Sequence, residues 1–274
     1  MKIVKEFSSS DGTVKRVHKM DDGCLVESVL IPHKTKTNLC ISTQVGCKMR
    51  CAFCESGKKF VRNLTSDEIL RQIDRPYGPG TAGGIDSVVF MGMGEPLDNP
   101  NVIDAIERVK KEKDIPSRKI VVSTAGMCDK IKLLLPTKVN IAISLNATTD
   151  DQRNLIMPIN KRFPLAELKK AMHDVNDMLP SKRRLQIEYV MIKGFNDAVQ
   201  DAERIAALVP KKSLINLIPV NSNDERFHPP NLETVASFKE ALRKHGFICY
   251  VREPRGRDVK AACGMLAGKM TTPK

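Results

Sequence analysis

The sequence predicts an α/β protein, a partial (β/α)6 TIM-like barrel with an N-terminal β-hairpin extension. Apolar, β-branched runs of strand length recur at LCISTQV (39–45), IDSVVFM (85–91), KIVVS (119–123), VNIAISL (139–145), LQIEYVMI (185–192) and SLINLIPV (213–220). Helical patterns separate most of them, and such alternation implies a parallel sheet wrapped by helices. Six units fall short of the eight that close a full barrel, so one side stays open.

The elements follow in order. The first 35 residues carry two short strand-like pieces about the DDG turn at 21–23; they read as the extension (1–35), packed on a barrel that occupies 36–274. Thr65 and Glu68 form a capping-box signature that starts a helix over about 66–75. Val102, Ile106 and Val109 share one face of a helix over 100–111. In 164–179, Pro164 stands at an expected first helical position, and Leu165, Leu168, Met172, Val175 and Leu179 form an apolar stripe whose default role is core. A helix over about 231–245 precedes a last strand-like run, FICYV. No linker marks a second domain.

Composition narrows the function. A chain of 274 residues can bury a substantial core. The N-terminus MKIVKEFSSSDG has no apolar signal region, and no apolar run approaches the roughly 18 residues of a membrane span, so a cytoplasmic protein with no membrane partner is expected. The net charge of +13 is spread over clusters at Lys58-Lys59, Lys110-Lys111, Lys182-Arg183-Arg184, Lys211-Lys212 and Arg252 through Lys260. Any one pair is ordinarily a solvated helix end; the whole excess points to a polyanion such as RNA or DNA, without sequence preference. Eight cysteines without a secretory signal argue for metal, redox or catalytic use rather than a disulfide framework. Cys24, Cys128 and Cys249 stand alone and read as packing residues.

In barrels of this kind the chemistry sits where strands end and loops begin. After the first predicted strand come Cys47, Cys51 and Cys54. After the second, Gly92 and Gly94 let backbone approach a ligand and Glu95 offers a carboxylate. Ser123 and Thr124 follow the third, Ser144 and Asn146 the fourth, and Asn221 the sixth. A single Ser or Asn at such a place is ordinarily a turn or cap residue; the shared location is what makes a site.

The C-x3-C-x2-C spacing of QVGCKMRCAFC (44–54) sets three soft ligands on one loop. A structural zinc site needs four closed ligands, and no second pair with the usual spacing is present. An iron–sulfur cluster held by three thiolates leaves one iron open to a small ligand. This spacing, with the aromatic Phe53 before the last cysteine, is the signature of the radical S-adenosylmethionine superfamily. The resemblance then sharpens. VESVLIP (26–32), LCISTQVGC (39–47), CAFC (51–54), RNLTSDEI (62–69), VVFMGMGEPL (88–97), STAG (123–126), MPINKRFP (157–164), EYVMIKGFND (188–197), INLIPVN (215–221) and AACGMLAG (261–268) are similar to the RlmN/Cfr family, in that family's order, from about residue 24 to 270.

The resemblance implies a radical methyltransferase acting on an adenine ring carbon, C2, in ribosomal or transfer RNA. Its cofactors are a [4Fe-4S] cluster on Cys47, Cys51 and Cys54 and S-adenosylmethionine. Gly94, Glu95, Ser123, Ser144, Asn146 and Asn221 match positions near S-adenosylmethionine, Glu95 meeting its ammonium group. Cys263 matches the methyl-carrying cysteine, Cys40 the cysteine that resolves the adduct as a disulfide forms, and Glu27 the general base. A flavodoxin-type electron donor and a monomeric chain are expected with it. The chain also departs from the family. It is expected to be a short form without the accessory domain ahead of the barrel, Asn146 replaces an imidazole, and Arg257 and Lys260 stand at places usually acidic. Those departures keep two alternatives open: the same mechanism on a smaller RNA, nucleotide or peptide, and a zinc-containing RNA-binding protein.

Overall fold

Sheet order follows chain order through most of the molecule. The computed structural model describes residues 1–74 and 84–268. Its main sheet runs β1 (Lys2–Ser8), β2 (Val14–Lys19), β3 (Leu25–Pro32), β4 (Thr37–Cys40), β7 (Ser87–Phe90), β8 (Ile120–Thr124), β9 (Asn140–Ser144), β10 (Gln186–Met191), β11 (Leu214–Pro219) and β12 (Ile248–Val251). The first four strands pair antiparallel; from β4 to β12 every neighbour is parallel. Two short strands, β5 (Gln44–Gly46) and β6 (Phe60–Asn63), form a separate ribbon. β1 and β12 are the ends of the ten-stranded sheet, and they do not pair, so the barrel is open.

Among the described residues six helices complete the α/β alternation: α1 (Ser66–Leu70), α2 (Val102–Glu112), α3 (Asp150–Ile156), α4 (Leu165–Met178), α5 (Val199–Leu208) and α6 (Leu232–Lys244). The capping box of α1 is present: the Glu68 N–H donates to Thr65 Oγ1 at 3.2 Å and the Thr65 N–H to Glu68 Oε2 at 2.9 Å, a device worth about 1 kcal/mol. In α4, Leu165, Leu168, Met172 and Val175 are buried, and each such side chain contributes about 1.5–3 kcal/mol. No helix among the described residues is long and apolar enough to cross a membrane.

Several sequence expectations are corrected. The extension is a three-stranded antiparallel meander, not a hairpin, because the 1–35 segment turns twice, near Gly12 and Gly23. The run 39–45 is two strands. At Ser42 the backbone N–H donates to the Gln72 side chain at 2.8 Å instead of to a neighbouring strand, and the chain leaves the sheet for the ribbon. FICYV adds a seventh parallel strand to the six predicted units. Pro164 caps α4 from an extended conformation, outside the first turn. The last residue of the helix expected over 66–75 lies outside the described residues, and α1 itself ends at Leu70. α3 has no counterpart in the sequence expectations because DDQRNLI has no apolar period, and α5 because Ile205 is the one large apolar residue of its buried face, beside Ala202, Ala206 and Asp201.

Candidate active site

The cysteine loop grows out of the β5–β6 ribbon. Its neck is closed by the Cys47 N–H donating to Lys59 O at 2.9 Å. Gly46 (φ 79°) makes that closure possible, since a Cβ there would lie 1.7 Å from the Lys59 oxygen. Inside the loop the Cys54 N–H donates to Cys51 O at 3.1 Å, and the Ala52 N–H reaches Ile156 O at the end of α3 at 2.9 Å. Cys47, Cys51 and Cys54 thereby line one inner cavity of about 180 Å3 at the C-terminal ends of the parallel strands.

Burial raises all three thiols. Cys47 is pushed up to about 12, against the backbone N–H of Met49. Cys51 rises well above the ordinary thiol range, and Cys54 rises against the N–H groups of Ser56 and Gly57. Thiols this costly to ionise alone become thiolates readily once a cationic metal group sits among them, and the N–H groups already point at two of the sulfurs. Among the described residues no set of three or more Cys, His, Asp or Glu closes around a point as a single ion requires. The three sulfurs face a cavity, which suits a larger group such as a cluster.

Gly94, Glu95, Ser123, Ser144, Asn146 and Asn221 all line that inner cavity. Gly94 has φ 107°, and a Cβ there would lie 2.6 Å from the Gln44 side chain. Glu95 is buried; Oε2 accepts from the Ala125 N–H at 2.6 Å and Oε1 from the Leu97 N–H at 3.1 Å. Burial still outweighs those donors and pushes its carboxyl up to about 7. Asn146 adopts a left-handed backbone (φ 58°). Its Oδ1 accepts from the Val190 N–H at 2.8 Å and its amide donates to the Met157 sulfur at 3.2 Å, so it braces β9 against β10 while facing the cavity.

A second, outer cavity of about 640 Å3 opens beside the first. Cys40 at the end of β4 and Cys263 both line it, and Cys54, Cys263 and Arg252 line both cavities. All eight cysteines are free thiols. The Cys263 residue is exposed to the cavity, yet its thiol is deep enough for burial to raise its pKa. Cys40 is raised too, first by burial and then by the neighbouring Cys263 sulfur.

Cys263 rides on a C-terminal strap held from two sides. The cysteine loop grips it through the Glu55 N–H to Gly264 O (2.7 Å) and Ser56 Oγ to Leu266 O (2.6 Å). The meander grips it through Ser9 Oγ to Asp258 (2.6 Å), the Gly256 N–H to Asp11 (2.9 Å) and Lys15 Nζ to Lys260 O (3.3 Å). Glu27 belongs to this grip. Its Oε2 accepts from the Ala267 N–H at 2.8 Å and the Gly268 N–H at 3.3 Å, and its Oε1 pairs with buried Lys15 at 3.4 Å. Glu27 therefore lines neither cavity, unlike the other eleven candidate residues.

Four residues of the site are ones the sequence does not place there, Arg252 among them having been legible only as the head of a basic cluster. Glu188 on β10 and Asn216 on β11 face each other in register, Asn216 Nδ2 donating to Glu188 Oε1 at 2.8 Å, and Arg252 pairs with the same oxygen at 3.3 Å. The legible signal was a polar residue in the middle of LQIEYVMI and of SLINLIPV, which in a barrel strand points to the lumen. The fourth, Arg153 on α3, carried no signal at all, since it lies in an unpredicted helix.

A cysteine loop at the strand ends of an open parallel barrel, beside a buried carboxylate, defines a radical S-adenosylmethionine enzyme. Residues 41–209 match the Radical SAM superfamily. The chain is 43% identical over 280 residues to a dual-specificity RNA methyltransferase RlmN of Geobacter sulfurreducens, covering 97% of this chain and 74% of that one. A probable dual-specificity RNA methyltransferase RlmN of Thermosipho melanesiensis is 41% identical, over 95% of this chain and 78% of its own. The crystal structure of a radical SAM methyltransferase from Sphaerobacter thermophilus superposes with a TM-score of 0.92 at 35% identity, covering 98% of this chain and 81% of that one. The chain belongs to the RlmN family within the radical SAM superfamily. Its cofactors are accordingly a [4Fe-4S] cluster and S-adenosylmethionine.

Proposed function

We propose that this protein methylates the C2 carbon of an adenine in ribosomal or transfer RNA, with Cys263 as the carrier of the methyl carbon. The observation that carries the reading is the placement of two free thiols, Cys40 and Cys263, on one cavity that shares Cys54 with the cysteine loop. Adenine C2 is an electrophilic ring carbon that a sulfonium cannot methylate directly, so a carrier sulfur and a radical route are needed. The cluster, on Cys47, Cys51 and Cys54, and S-adenosylmethionine supply, when bound, the methyl group and the single electron for that route.

The chain's own residues do the rest. Glu95, beside Ser123, Ser144, Asn146 and Asn221 and on the tight backbone of Gly94, receives the ammonium group of S-adenosylmethionine. Cys263 loses its thiol proton, and its sulfur bonds to the methyl carbon as that carbon's bond to a sulfonium sulfur breaks, the pair leaving on the sulfur, which departs as a neutral thioether. The outer cavity, rimmed by His33, Lys36, Arg252 and Arg255, holds the adenine and its flanking phosphates. Cys40, having lost its thiol proton, then attacks the Cys263 sulfur: a sulfur–sulfur bond forms, the carbon–sulfur bond to the product breaks, and its electron pair stays on carbon, which takes up a proton to complete the methyl group. Glu27 shares its strand face with cavity-lining Val29 and Ile31, so it serves as base for the ring proton once its hydrogen bonds to the strap are released. A flavodoxin-type donor delivers the electron, and the protein acts as a cytoplasmic monomer.

The test is anaerobic reconstitution followed by incubation with methyl-labelled S-adenosylmethionine, a flavodoxin reductant and total RNA. Label recovered as 2-methyladenosine supports the reading. Label confined to protein, or recovered only as another nucleoside, overturns it.

A further inference from the structure

Arg153 is the largest fully buried side chain among the described residues. Its guanidinium makes four hydrogen bonds: Nε to Leu145 O (3.1 Å), and the terminal nitrogens to Asn160 Oδ1 (3.1 Å), Ala125 O (2.7 Å) and Ser144 O (3.3 Å). Every acceptor is neutral. A cation taken out of water into such surroundings costs several kcal/mol unless an anion repays it.

The carboxylate connected to it is Asp150, one residue removed through Asn160, which donates to Asp150 Oδ1 at 2.8 Å. The cysteine loop lies across the inner cavity's wall: Ala125 and Ser144, whose carbonyls Arg153 binds, line that cavity together with Cys51. Burial lowers the Arg153 pKa, and of the groups that would oppose it once ionised Cys51 comes first, ahead of Cys128 and Asp150. One turn on, the α3 carbonyl of Ile156 accepts the N–H of Ala52, the residue after Cys51. The three backbone carbonyls that Arg153 ties belong to the last residue of β9 and to the loops after β8 and β9, and the Ala125 N–H on one of those loops donates to Glu95. Arg153 thus stands behind both the thiols and the buried carboxylate without lining either cavity.

We infer that Arg153 is a positioning residue that serves as the fixed counter-charge of the three-thiolate centre, stabilising the added negative charge when the cluster is reduced and so raising its reduction potential. The inference rests on the cluster occupying Cys47, Cys51 and Cys54. Burial keeps the effect large, because little water is present to screen it. The planar fork does a second task that lysine cannot, joining the ends of β8 and β9.

The test is an EPR-monitored redox titration of the anaerobically reconstituted protein, with iron counted per chain. Arg153→Gln shifts the midpoint to lower potential with the iron retained. Arg153→Lys, which keeps the charge, restores most of the potential while lowering the melting temperature, since the fork is lost. Asp150→Asn removes the opposing charge and shifts the midpoint upward; this variant leaves Arg153 in place and decides the matter if Arg153→Gln fails to fold. An unchanged midpoint in Asp150→Asn, or one in Arg153→Gln equal to or above that of the unsubstituted protein, overturns the inference. A purely structural Arg153 would lower iron content and melting temperature and leave the potential of the remaining cluster where it was. If the unsubstituted chain assembles no four-iron cluster, the cofactor reading falls first, and this inference with it.

Discussion

The inner and outer cavities share a wall but are built by opposite means. The inner one is small, about 180 Å3, and its polar groups sit at the ends of parallel strands, most of them already hydrogen-bonded to backbone. The outer one, about 640 Å3, is walled on one side by β3 and β4 and on the other by β12 and the strap, and its rim is cationic. The inner cavity is fixed by the sheet; the outer one depends on a strap held by side chains of the N-terminal meander and by the Glu55 backbone and Ser56 side chain of the cysteine loop. A chamber fixed by the sheet and a chamber fixed by the strap thereby meet at Cys54, Cys263 and Arg252.

The largest expected effects separate the two chambers. Cys51→Ala removes an inner ligand and abolishes iron binding and cleavage of S-adenosylmethionine together. Cys263→Ala keeps the iron and the cleavage but lowers RNA methylation by at least about 10³-fold, as expected for loss of a covalent carrier. Iron counts and 5′-deoxyadenosine yields read the difference; if Cys263→Ala lost its iron, the chambers would not be separable. Next comes the strap. Glu27→Gln leaves Lys15 buried without its counter-charge and weakens two backbone hydrogen bonds, which costs about 3 kcal/mol of stability. Chemical denaturation of the variant measures this, and a change under about 0.5 kcal/mol would place the strap's support elsewhere.

Glu95 tunes the inner chamber by pH. Its carboxyl is raised from 4.5 to about 7 in the folded protein, so the folded state binds this proton more tightly than the unfolded chain does. Its contribution is therefore fully present below about 4.5 and is lost as pH rises to about 7. An ammonium ligand prefers the ionised form, so affinity for S-adenosylmethionine should fall by up to about tenfold per pH unit below 7 and level off above it. Calorimetric titration across that range checks the slope, and Glu95→Gln should flatten it.

The smallest effects map the outer rim. Lys36→Ala and Arg255→Ala should each weaken RNA binding several-fold and reduce its salt slope by about one. Lys182→Ala and Lys212→Ala should leave both unchanged. These latter clusters precede β10 and β11, at the strands' N-terminal ends, and Lys110 and Lys111 lie at the foot of α2 before β8. Arg184 there is occupied with the Lys212 carbonyl. The high net charge thus divides into a floor that pairs with backbone and a rim that faces the site.

Much was legible in the chain alone. Strand-length apolar runs declared themselves because parallel strands covered by helices must be apolar nearly throughout, and the cysteine loop because its ligands are close in sequence. Glu188 and Asn216 were visible as polar interruptions but not interpretable until the register of β10 on β11 put them face to face. Glu27 shows the reverse: its motif was recognisable, and only the fold shows that its carboxylate also holds the strap.

Local signals, then, belong to the sequence: periodicity, caps, ligand spacing and the order of motifs, all set by interactions within a few residues. Only tertiary structure decided which basic clusters border the outer cavity, that residues as distant as Cys40 and Cys263 line it together, and that Arg153 has only neutral acceptors among the described residues. Those outcomes depend on long-range packing and on the desolvation of charge, and neither is encoded in the spacing of neighbours along the chain.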